Sequence, residues 1–247
     1  MAVKHAGLGP DAPRWSVIAA NEQATADYAR LIAAMVRPGD LVTLSGGLGV
    51  GKTSFARALV RALTQQSDLD VPSPTFTLMQ TYEGAGFPIV HADLYRISDQ
   101  NELEELGWYE MAQSSLVLLE WPERAPDILH ANRLDVALSI LPDPENQRRA
   151  ITFTGLGTFS ERVRRAKSLT QLIEAAGFAR AKRDVIQGDA SSRSFERLTL
   201  GEKSAIAINA MPPVHGPAIR MGKSYRQLAR LSDHIDSYLA MSQALID

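Results

Sequence analysis

The chain has 247 residues, 45% hydrophobic and 22% charged, which is close to the composition of globular proteins and excludes wholesale disorder. It has no cysteine, which excludes disulfide bonds, zinc-thiolate sites and cysteine nucleophiles. Residues 1–164 carry 14 basic and 20 acidic residues, whereas residues 165–247 carry 12 and 8, so the net charges are −6 and +4. We therefore expect two units. The first is acidic, so we do not expect it to bind nucleic acid by itself, because contacts to phosphates require clustered Lys and Arg.

The N-terminal sequence lacks the apolar core of a secretory signal, and no run of about 18 apolar residues predicts a membrane span. We therefore expect a cytoplasmic protein.

The first predicted elements are a helix and a strand–turn–helix unit. Apolar residues recur at helical spacing over residues 22–36, with Asn21 as N-cap, and a Pro-Gly pair ends that helix. Residues 40–45 form a short apolar strand. A glycine-rich turn then leads into a second helix over about residues 51–64.

That turn reads GGLGVGKT, which matches the phosphate-loop pattern G-x-x-x-x-G-K-[ST] between a strand and a helix. Its glycines allow successive N–H groups to face one anion, and the helix adds its positive end. We expect Lys52 to contact the β- and γ-phosphates of a nucleotide, and Thr53 to bring a hydroxyl to Mg²⁺. The residues expected to bind nucleotide are Gly46, Gly47, Leu48, Gly49, Val50, Gly51, Lys52, Thr53 and Ser54.

Further strands and one helix are predicted up to residue 154. Asp99 and Glu102 form a capping box for a helix that Gly107 ends. The segment between Pro122 and Leu129 is predicted to be short and irregular or helical. The predicted strands are 77–82, 87–92, 116–119, 134–141 and 151–154. Strands and helices therefore alternate along this part of the chain.

Two acids stand directly after predicted strands, Glu120 after LVLL and Asp93 after PIVHA. Because the carboxyl ends of parallel strands face the nucleotide crevice, we favour Glu120 as the Mg²⁺ ligand. Asp93 either orients the attacking water or supports Mg²⁺. The alternative for each acid is a surface charge at a strand end.

Three neighbouring residues are weaker candidates. Thr75, in the Ser-Pro-Thr segment, is placed to bring a hydroxyl to the γ-phosphate as switch segments do, with a plain turn as the alternative. Trp121 either packs on the nucleotide or seals the pocket, with core packing as an equally weighted alternative. His91 is more typical of a structural histidine than of a catalytic one.

The motifs GGLGVGKTSFARAL, SPTFTL, HADLYR, ELEELG and LLEWPER occur in this order, and over residues 16–160 the chain resembles the TsaE family. TsaE is the small ATPase of bacterial tRNA threonylcarbamoyladenosine synthesis. The resemblance implies an α/β P-loop NTPase fold with a mainly parallel central sheet. It also implies Mg²⁺-dependent ATP hydrolysis together with TsaD and TsaB, with TsaC in the same pathway and tRNA bound only through the complex. It assigns Mg²⁺ to Thr53 and Glu120 and hydrolysis to Asp93, and it places Glu22 and Thr25 towards the nucleoside.

The remaining sequence predicts a second, smaller unit. A long helix runs from about residue 159 to 176, and we place the domain boundary inside it near residue 164, giving domains of 16–164 and 165–247. The strands 182–186, 195–200 and 205–209 follow, and a final amphipathic helix spans about 224–245.

Residues 183–223 resemble the N-terminal lobe of aminoglycoside-phosphotransferase-like kinases of amino sugars, with GDASSRS as the loop that covers nucleotide. Such kinases need a catalytic Asp and a metal-binding Asn or Asp from a second lobe. The segment beginning His234-Ile235-Asp236 has Met241 where the pattern H-x-D-x-x-x-x-N requires Asn. We expect a truncated lobe that is inactive as a kinase, with a degenerate lobe or a docking module as alternatives. For GDASSRS the alternative is an ordinary polar hairpin loop.

Three functions remain: an ATPase subunit of tRNA modification, a small-molecule kinase, and a binding module in which ATP controls assembly. A P-loop kinase usually has an arginine-rich lid, but only Arg57, Arg61 and Arg96 lie between Lys52 and Glu120. The sequence therefore favours the ATPase.

Overall fold

The computed structural model describes residues 12–97, 99, 102–103, 107–145, 147–186 and 193–210. The chain divides into two compact units, residues 1–170 and 171–247. Among the helices of the described ranges, none combines the length and the apolar character that crossing a membrane requires.

The first unit is built from alternating strands and helices. Its strands are β1 (Arg14–Ala19), β2 (Leu41–Ser45), β3 (Met79–Glu83), β4 (Pro88–Asp93), β5 (Leu116–Glu120), β6 (Leu134–Ile140) and β7 (Arg149–Gly155). Its helices are α1 (Glu22–Ala33), α2 (Lys52–Thr64), α3 (Trp108–Ser114) and α4 (Phe159–Ile173), and two 3₁₀ turns cover Pro122–Arg124 and Pro126–Ile128.

The seven strands form one sheet in the order β1-β7-β6-β2-β5-β4-β3. The four central strands β6, β2, β5 and β4 are parallel, and the flanking strands β1, β7 and β3 pair antiparallel. The register sets Asp93 opposite Glu120, and Glu120 opposite Leu44. The ends of β2, β4 and β5 therefore share one edge, which we call the carboxyl edge, and the edge where the central strands begin is the amino edge.

Both faces of the central strands are covered, which explains their continuous apolar sequences. One face carries Leu44 and Leu118 and packs against Phe55 of α2 together with α1 and the first turns of α4. The other face carries Val117 and packs against Trp108 of α3. The α/β fold with a mainly parallel centre is confirmed.

Two elements were not predicted from the sequence. β1 is an unpredicted strand, whose six residues complete the sheet by pairing with β7. α3 is an unpredicted helix, and Gly107 is its N-cap residue. The predicted capping box is present in part, since the backbone N of Asp99 donates to Oε1 of Glu102 over 3.0 Å, while residues 104–106 lie outside the described ranges.

The described part of the second unit is a three-stranded antiparallel sheet in the order β10-β9-β8, with β8 (Lys182–Ile186), β9 (Arg193–Leu200) and β10 (Lys203–Ala210). β9 and β10 each begin two residues before the predicted strands, and β10 also ends one residue later. The GDASSRS loop up to residue 192 and the predicted helix 224–245 lie outside the described residues.

The two units divide after Thr170, six residues beyond the predicted boundary. The helix remains attached to the first core because Phe159 and Val163 are buried in it and Ala166 packs against it. Arg162 of the same helix donates to the carboxylate of Asp40. The division therefore follows the last side chains that face the first core.

Candidate active site at the carboxyl edge

The phosphate loop, Asp93 and Glu120 meet at the carboxyl edge because three parallel strands end there. β2 runs into residues 46–51, β4 ends at Asp93 and β5 ends at Glu120. The parallel pairing of β4 with β5 and of β5 with β2 then brings both carboxylates beside the loop. The sequence predicted this convergence from the strand ends alone.

Glycine is required at two positions of the phosphate loop. Gly46 has φ 136°, and a Cβ there would lie 2.4 Å from the carbonyl oxygen of Leu138. Gly51, the N-cap residue of α2, has φ 106°, a left-handed conformation that other residues rarely adopt. The loop thus wraps tightly onto β6 and turns directly into the positive end of α2, which is the geometry of an anion site.

Lys52 lies over the loop and is buried. Its Nζ donates to the carbonyl oxygens of Gly46 at 2.9 Å and Gly47 at 3.0 Å and lies 3.6 Å from the ring centre of Trp121. Burial lowers the pKa of Lys52, and the charges of Glu120 and Asp93 oppose that shift. An ammonium has three N–H groups, so one is left for a phosphate.

A chain of polar contacts links Thr53, Glu120 and His91. Oγ1 of Thr53 donates to Oε2 of Glu120 over 3.1 Å, and Nε2 of His91 lies 2.9 Å from the other oxygen, Oε1. His91 and Glu120 are buried, and Nδ1 of His91 has no hydrogen-bond partner. His91 therefore holds the carboxylate with one oxygen turned towards Thr53.

Asp93 is fixed by a separate set of donors. Its Oδ2 accepts from Ser73 at 2.5 Å and from Thr75 at 2.8 Å, and its Oδ1 accepts from the backbone N of Tyr95 at 2.9 Å. The Ser-Pro-Thr segment is thereby tied to the end of β4. Thr75 and Asp93, predicted from different motifs, form one cluster.

The oxygens of Thr53 and Glu120 fit Mg²⁺, which prefers oxygen ligands and commonly binds one or two carboxylates together with substrate phosphates. Within the described ranges no group of three or more His, Asp or Glu side chains forms a complete metal cage. The assignment of Mg²⁺ to Thr53 and Glu120 stays a prediction.

Trp121 closes one side of the site, beneath Lys52. It has φ 59°, its backbone N donates to the carbonyl oxygen of Leu44, and its ring centre lies 5.0 Å from that of Tyr95. Its ring is thus held against the ammonium group by both neighbouring strands. Trp121 is also partly buried against the core on the α3 side of the sheet, as the core-packing alternative predicted. Its packing on a nucleotide stays a prediction.

Glu22 and Thr25 lie on the first turn of α1, which begins after β1. The last residue of β1, Ala19, pairs with Arg149 of β7, whose Nε donates to the carbonyl oxygen of Val50 in the phosphate loop. The start of α1 is therefore at the carboxyl edge. Glu22 is exposed, whereas Thr25 is buried and donates to the carbonyl oxygen of Asn21. Their role towards the nucleoside stays a prediction.

The remaining loop residues differ in exposure. Leu48 is 77% exposed at the tip of the loop, whereas Val50 is buried beneath it. Ser54 is half-buried on the first turn of α2.

Two site residues were missed in the sequence. Ser73 donates to Oδ2 of Asp93, the same oxygen that accepts from Thr75. Its position two residues before Thr75 in the same constrained segment could have indicated this contact. Arg149 contacts a residue 99 positions away, and no local pattern in the sequence indicates that contact. The contact of His91 with Glu120 likewise depends on the register of β4 and β5.

Comparison with known proteins agrees with this architecture. Residues 19–150 match the model of the family described as "Threonylcarbamoyl adenosine biosynthesis protein TsaE". A Rickettsia felis protein named tRNA threonylcarbamoyladenosine biosynthesis protein TsaE is 33% identical over 176 residues, covering 71% of this chain and 96% of the relative. The Bacillus subtilis protein of the same name is 35% identical over 144 residues, covering 58% of this chain and 86% of the relative.

A solved structure is similar as well. The crystal structure of Bacillus subtilis YdiB aligns with a TM-score of 0.53 and 28% sequence identity, covering 65% of this chain and 97% of that one. The family match lies within the first unit. The resemblance of residues 183–223 to amino-sugar kinases stays a prediction.

Proposed function

The chain belongs to the TsaE family, and from that premise we propose that it is a Mg²⁺-dependent ATPase required for tRNA threonylcarbamoyladenosine formation, acting in the cytoplasm. The observation that carries this proposal is the meeting of Lys52, Thr53, Asp93 and Glu120 at the carboxyl edge. It supplies a cation for phosphates, two oxygen ligands for a metal and a second, separately held carboxylate.

In the proposed mechanism, the N–H groups at the start of α2 and the ammonium of Lys52 hold the β- and γ-phosphates. Thr53 and Glu120 would hold Mg²⁺. The chemistry that a bound Mg²⁺ supplies is neutralisation of the negative charge that develops on the phosphates. His91 keeps Glu120 oriented for this task, because a carboxylate oxygen can only accept and Nε2 is the donor that faces it.

Asp93 orients the attacking water in this proposal. Its two oxygens already accept from Ser73, Thr75 and the backbone N of Tyr95, which fixes the plane of the carboxylate. A hydrolytic site needs such a fixed acceptor, because the water must approach the γ-phosphate in line with the leaving oxygen. If Thr75 turned its hydroxyl to the γ-phosphate, Asp93 would keep its bonds from Ser73 and from the backbone N of Tyr95.

The arginines favour hydrolysis over phosphorylation of a small molecule. Nε of Arg57 donates to the carbonyl oxygen of Val71, and Nε of Arg61 donates to that of Leu69. Both guanidinium groups thus hold the segment after α2 and form no lid. Arg96 stacks on Phe76, with 4.3 Å between its guanidinium carbon and the ring centre.

We propose that TsaD and TsaB regulate hydrolysis through the segment that carries Thr75. Phe76 is 82% exposed directly after Thr75, and its ring is the kind of surface that a protein partner covers. A partner that prefers the ordered segment shifts the population towards the hydrolytic arrangement. The acidic charge of residues 1–164 agrees with contact to proteins, with tRNA bound by the complex.

The test is ATP hydrolysis by the full chain with and without TsaD and TsaB, followed by threonylcarbamoyladenosine formation on tRNA. We expect low hydrolysis alone and a clear rise with the partners. Phe76→Ser should lose that rise, whereas the matched control Leu172→Ser, an exposed apolar residue of α4, should keep it. Equal rates with and without partners would contradict the proposal and favour a free-standing kinase or NTPase.

For the second unit we propose no phosphotransfer. The reason is the missing catalytic pair, since His234-Ile235-Asp236 is followed by Met241 where Asn is needed. The 247-residue chain should leave N-acetylmuramate unphosphorylated in the presence of Mg²⁺ and ATP. Transfer of phosphate to that sugar would support the bifunctional alternative.

A further inference from the structure

Arg149 reaches the phosphate loop from β7, which lies two strands away from β2 in the sheet. It is the first residue of β7, where the register sets it between Ile140 of β6 and Ala19 of β1. Its Nε donates to the carbonyl oxygen of Val50 over 2.8 Å. The contact joins the β6–β7 hairpin to the residue that precedes the N-cap of α2.

This hydrogen bond fixes the peptide group between Val50 and Gly51. In a planar trans peptide the carbonyl oxygen of Val50 and the N–H of Gly51 point in opposite directions. A donor that holds the oxygen on the side of β7 therefore turns the N–H of Gly51 away from β7. In the described part of the chain that N–H donates to no other atom, so it stays free for an anion.

The guanidinium group is itself held in place. Its NH1 donates to the carbonyl oxygen of Arg148 over 3.1 Å, and the side chain is half-buried. The preceding turn is organised by Asp143, whose carboxylate accepts from the backbone N of Glu145, Gln147 and Arg148. The donor to Val50 thus comes from a fixed hairpin.

The backbone freedom of Gly51 explains why a fixed donor is needed to orient the Val50–Gly51 peptide group. A glycine with φ 106° has no Cβ to restrict its backbone, so rotation of the adjoining peptide group costs little without an external bond. We propose that Arg149 is a positioning residue that presents the N–H of Gly51 to the nucleotide phosphates. This proposal rests on nucleotide binding at the phosphate loop, as given above.

The test compares Arg149→Met with Arg148→Met, which removes the same charge from the neighbouring exposed arginine. ADP binding to the full chain is measured by calorimetry without Mg²⁺. We expect Arg149→Met to weaken ADP binding about tenfold, since the lost bond orients a donor to a charged group. Arg148→Met should stay within about twofold of wild type, and Arg149→Lys, which retains a donor, should recover part of the affinity.

A second readout separates this inference from the proposed function. In the nucleotide-free protein, the backbone amide resonance of Gly51 should shift in Arg149→Met and stay in place in Arg148→Met. Thermal melting checks that each variant is folded. If Arg149→Met does not fold, Arg149→Lys is compared with wild type by ADP affinity and by the Gly51 resonance. Equal ADP affinities and equal Gly51 resonances in the two methionine variants would overturn the role of Arg149. A wild-type chain that binds no ADP would contradict the proposed function as well.

Discussion

The two edges of the parallel strands hold their buried carboxylates differently. At the amino edge, Arg162 donates to both oxygens of Asp40, and Nε of Arg133 lies 2.7 Å from Asp135. At the carboxyl edge, neither Asp93 nor Glu120 accepts from an arginine of the described chain.

Burial does not distinguish the two edges. The exposed fractions are 5% for Asp40 and 8% for Asp135, against 3% for Asp93 and 2% for Glu120. What differs is the balance of charge, because hydroxyls, a backbone N–H and a histidine replace the arginines at the carboxyl edge. A buried carboxylate is costly unless a cation offsets it.

From this comparison we propose that the amino-edge carboxylates are structural and that the carboxyl-edge carboxylates are kept for a ligand. The amino edge is neutralised by its own side chains and needs nothing further. At the carboxyl edge the nearby cation is Lys52, and its ammonium group already donates to two carbonyl oxygens of the phosphate loop. We therefore expect substitutions at the amino edge to cost stability and those at the carboxyl edge to cost function.

The largest effect should come from Lys52→Ala, which removes the cation of the carboxyl edge. Partner-stimulated ATP hydrolysis should fall about 1,000-fold, because the donor faces charge that develops in the transition state. Lys167→Ala, an exposed lysine on α4, serves as the control and should hydrolyse ATP normally. Hydrolysis by Lys52→Ala at the wild-type rate would remove the phosphate-loop assignment.

Asp40→Asn tests the amino edge. It leaves the guanidinium of Arg162 buried without its counter-charge, so the free energy of unfolding should drop by about 3 kcal/mol. Glu120→Gln, which removes a carboxylate that has no arginine, should change that free energy by less than about 1 kcal/mol. Urea denaturation measures the free energy of unfolding of both variants. Equal decreases would show that the carboxylates of the two edges do not differ in their contribution to stability.

Asp93 and Glu120 should separate binding from hydrolysis. Glu120→Gln should weaken ADP binding at least about tenfold with Mg²⁺ and leave Mg²⁺-free binding unchanged, because only a metal ligand is lost. Asp93→Asn should bind both forms normally yet hydrolyse ATP at least about tenfold more slowly in a single turnover. If Asp93→Asn alone removes the dependence of binding on Mg²⁺, the two roles are reversed.

A smaller effect is expected at His91. His91→Leu should raise the Mg²⁺ concentration needed for half-maximal ADP binding by about threefold to tenfold, because the carboxylate of Glu120 loses its fixed orientation. His91→Gln keeps an N–H donor near the position of Nε2 and should restore much of this loss. Identical Mg²⁺ dependence in the two variants would reduce His91 to a packing residue.

The smallest expected effect is the pH dependence that follows from the lowered pKa of Lys52. Burial lowers its pKa below the ordinary value of 10.5, so between the lowered pKa and 10.5 the folded chain binds fewer protons than the unfolded chain. Stability should therefore rise with pH across that window. A bound phosphate raises the pKa again, so ADP binding in that window should take up at most one proton. Calorimetry in buffers of different ionisation enthalpy measures this uptake, and Lys52→Met should lose it.

The sequence predicts much of this picture wherever the signal is local. The phosphate loop is predicted by its glycines and by the strand and helix on either side, and Glu120 by the four apolar residues before it. β1 was missed because an edge strand of six residues with mixed polarity is a weak pattern. α3 was missed because seven residues beginning Trp-Tyr show too little helical periodicity.

What the sequence does not predict depends on pairing between distant strands. Nothing near Arg149 indicates that it contacts Val50, and the tie of Arg162 to Asp40 spans 122 positions. The contrast between the two edges is of this kind, since the acids look alike in the sequence and differ only in the arginines that folding brings to them.

The central claim is that the carboxyl edge keeps its carboxylates for a metal-bound nucleotide, and a crystal structure with ADP and Mn²⁺ tests it most directly. Anomalous scattering locates Mn²⁺ without reference to any expected position. We predict one strong peak between Oγ1 of Thr53 and the carboxylate of Glu120, beside the β-phosphate, and none at Asp40 or Asp135. A peak at the amino edge, or ADP bound with no metal near Thr53 and Glu120, would contradict the account.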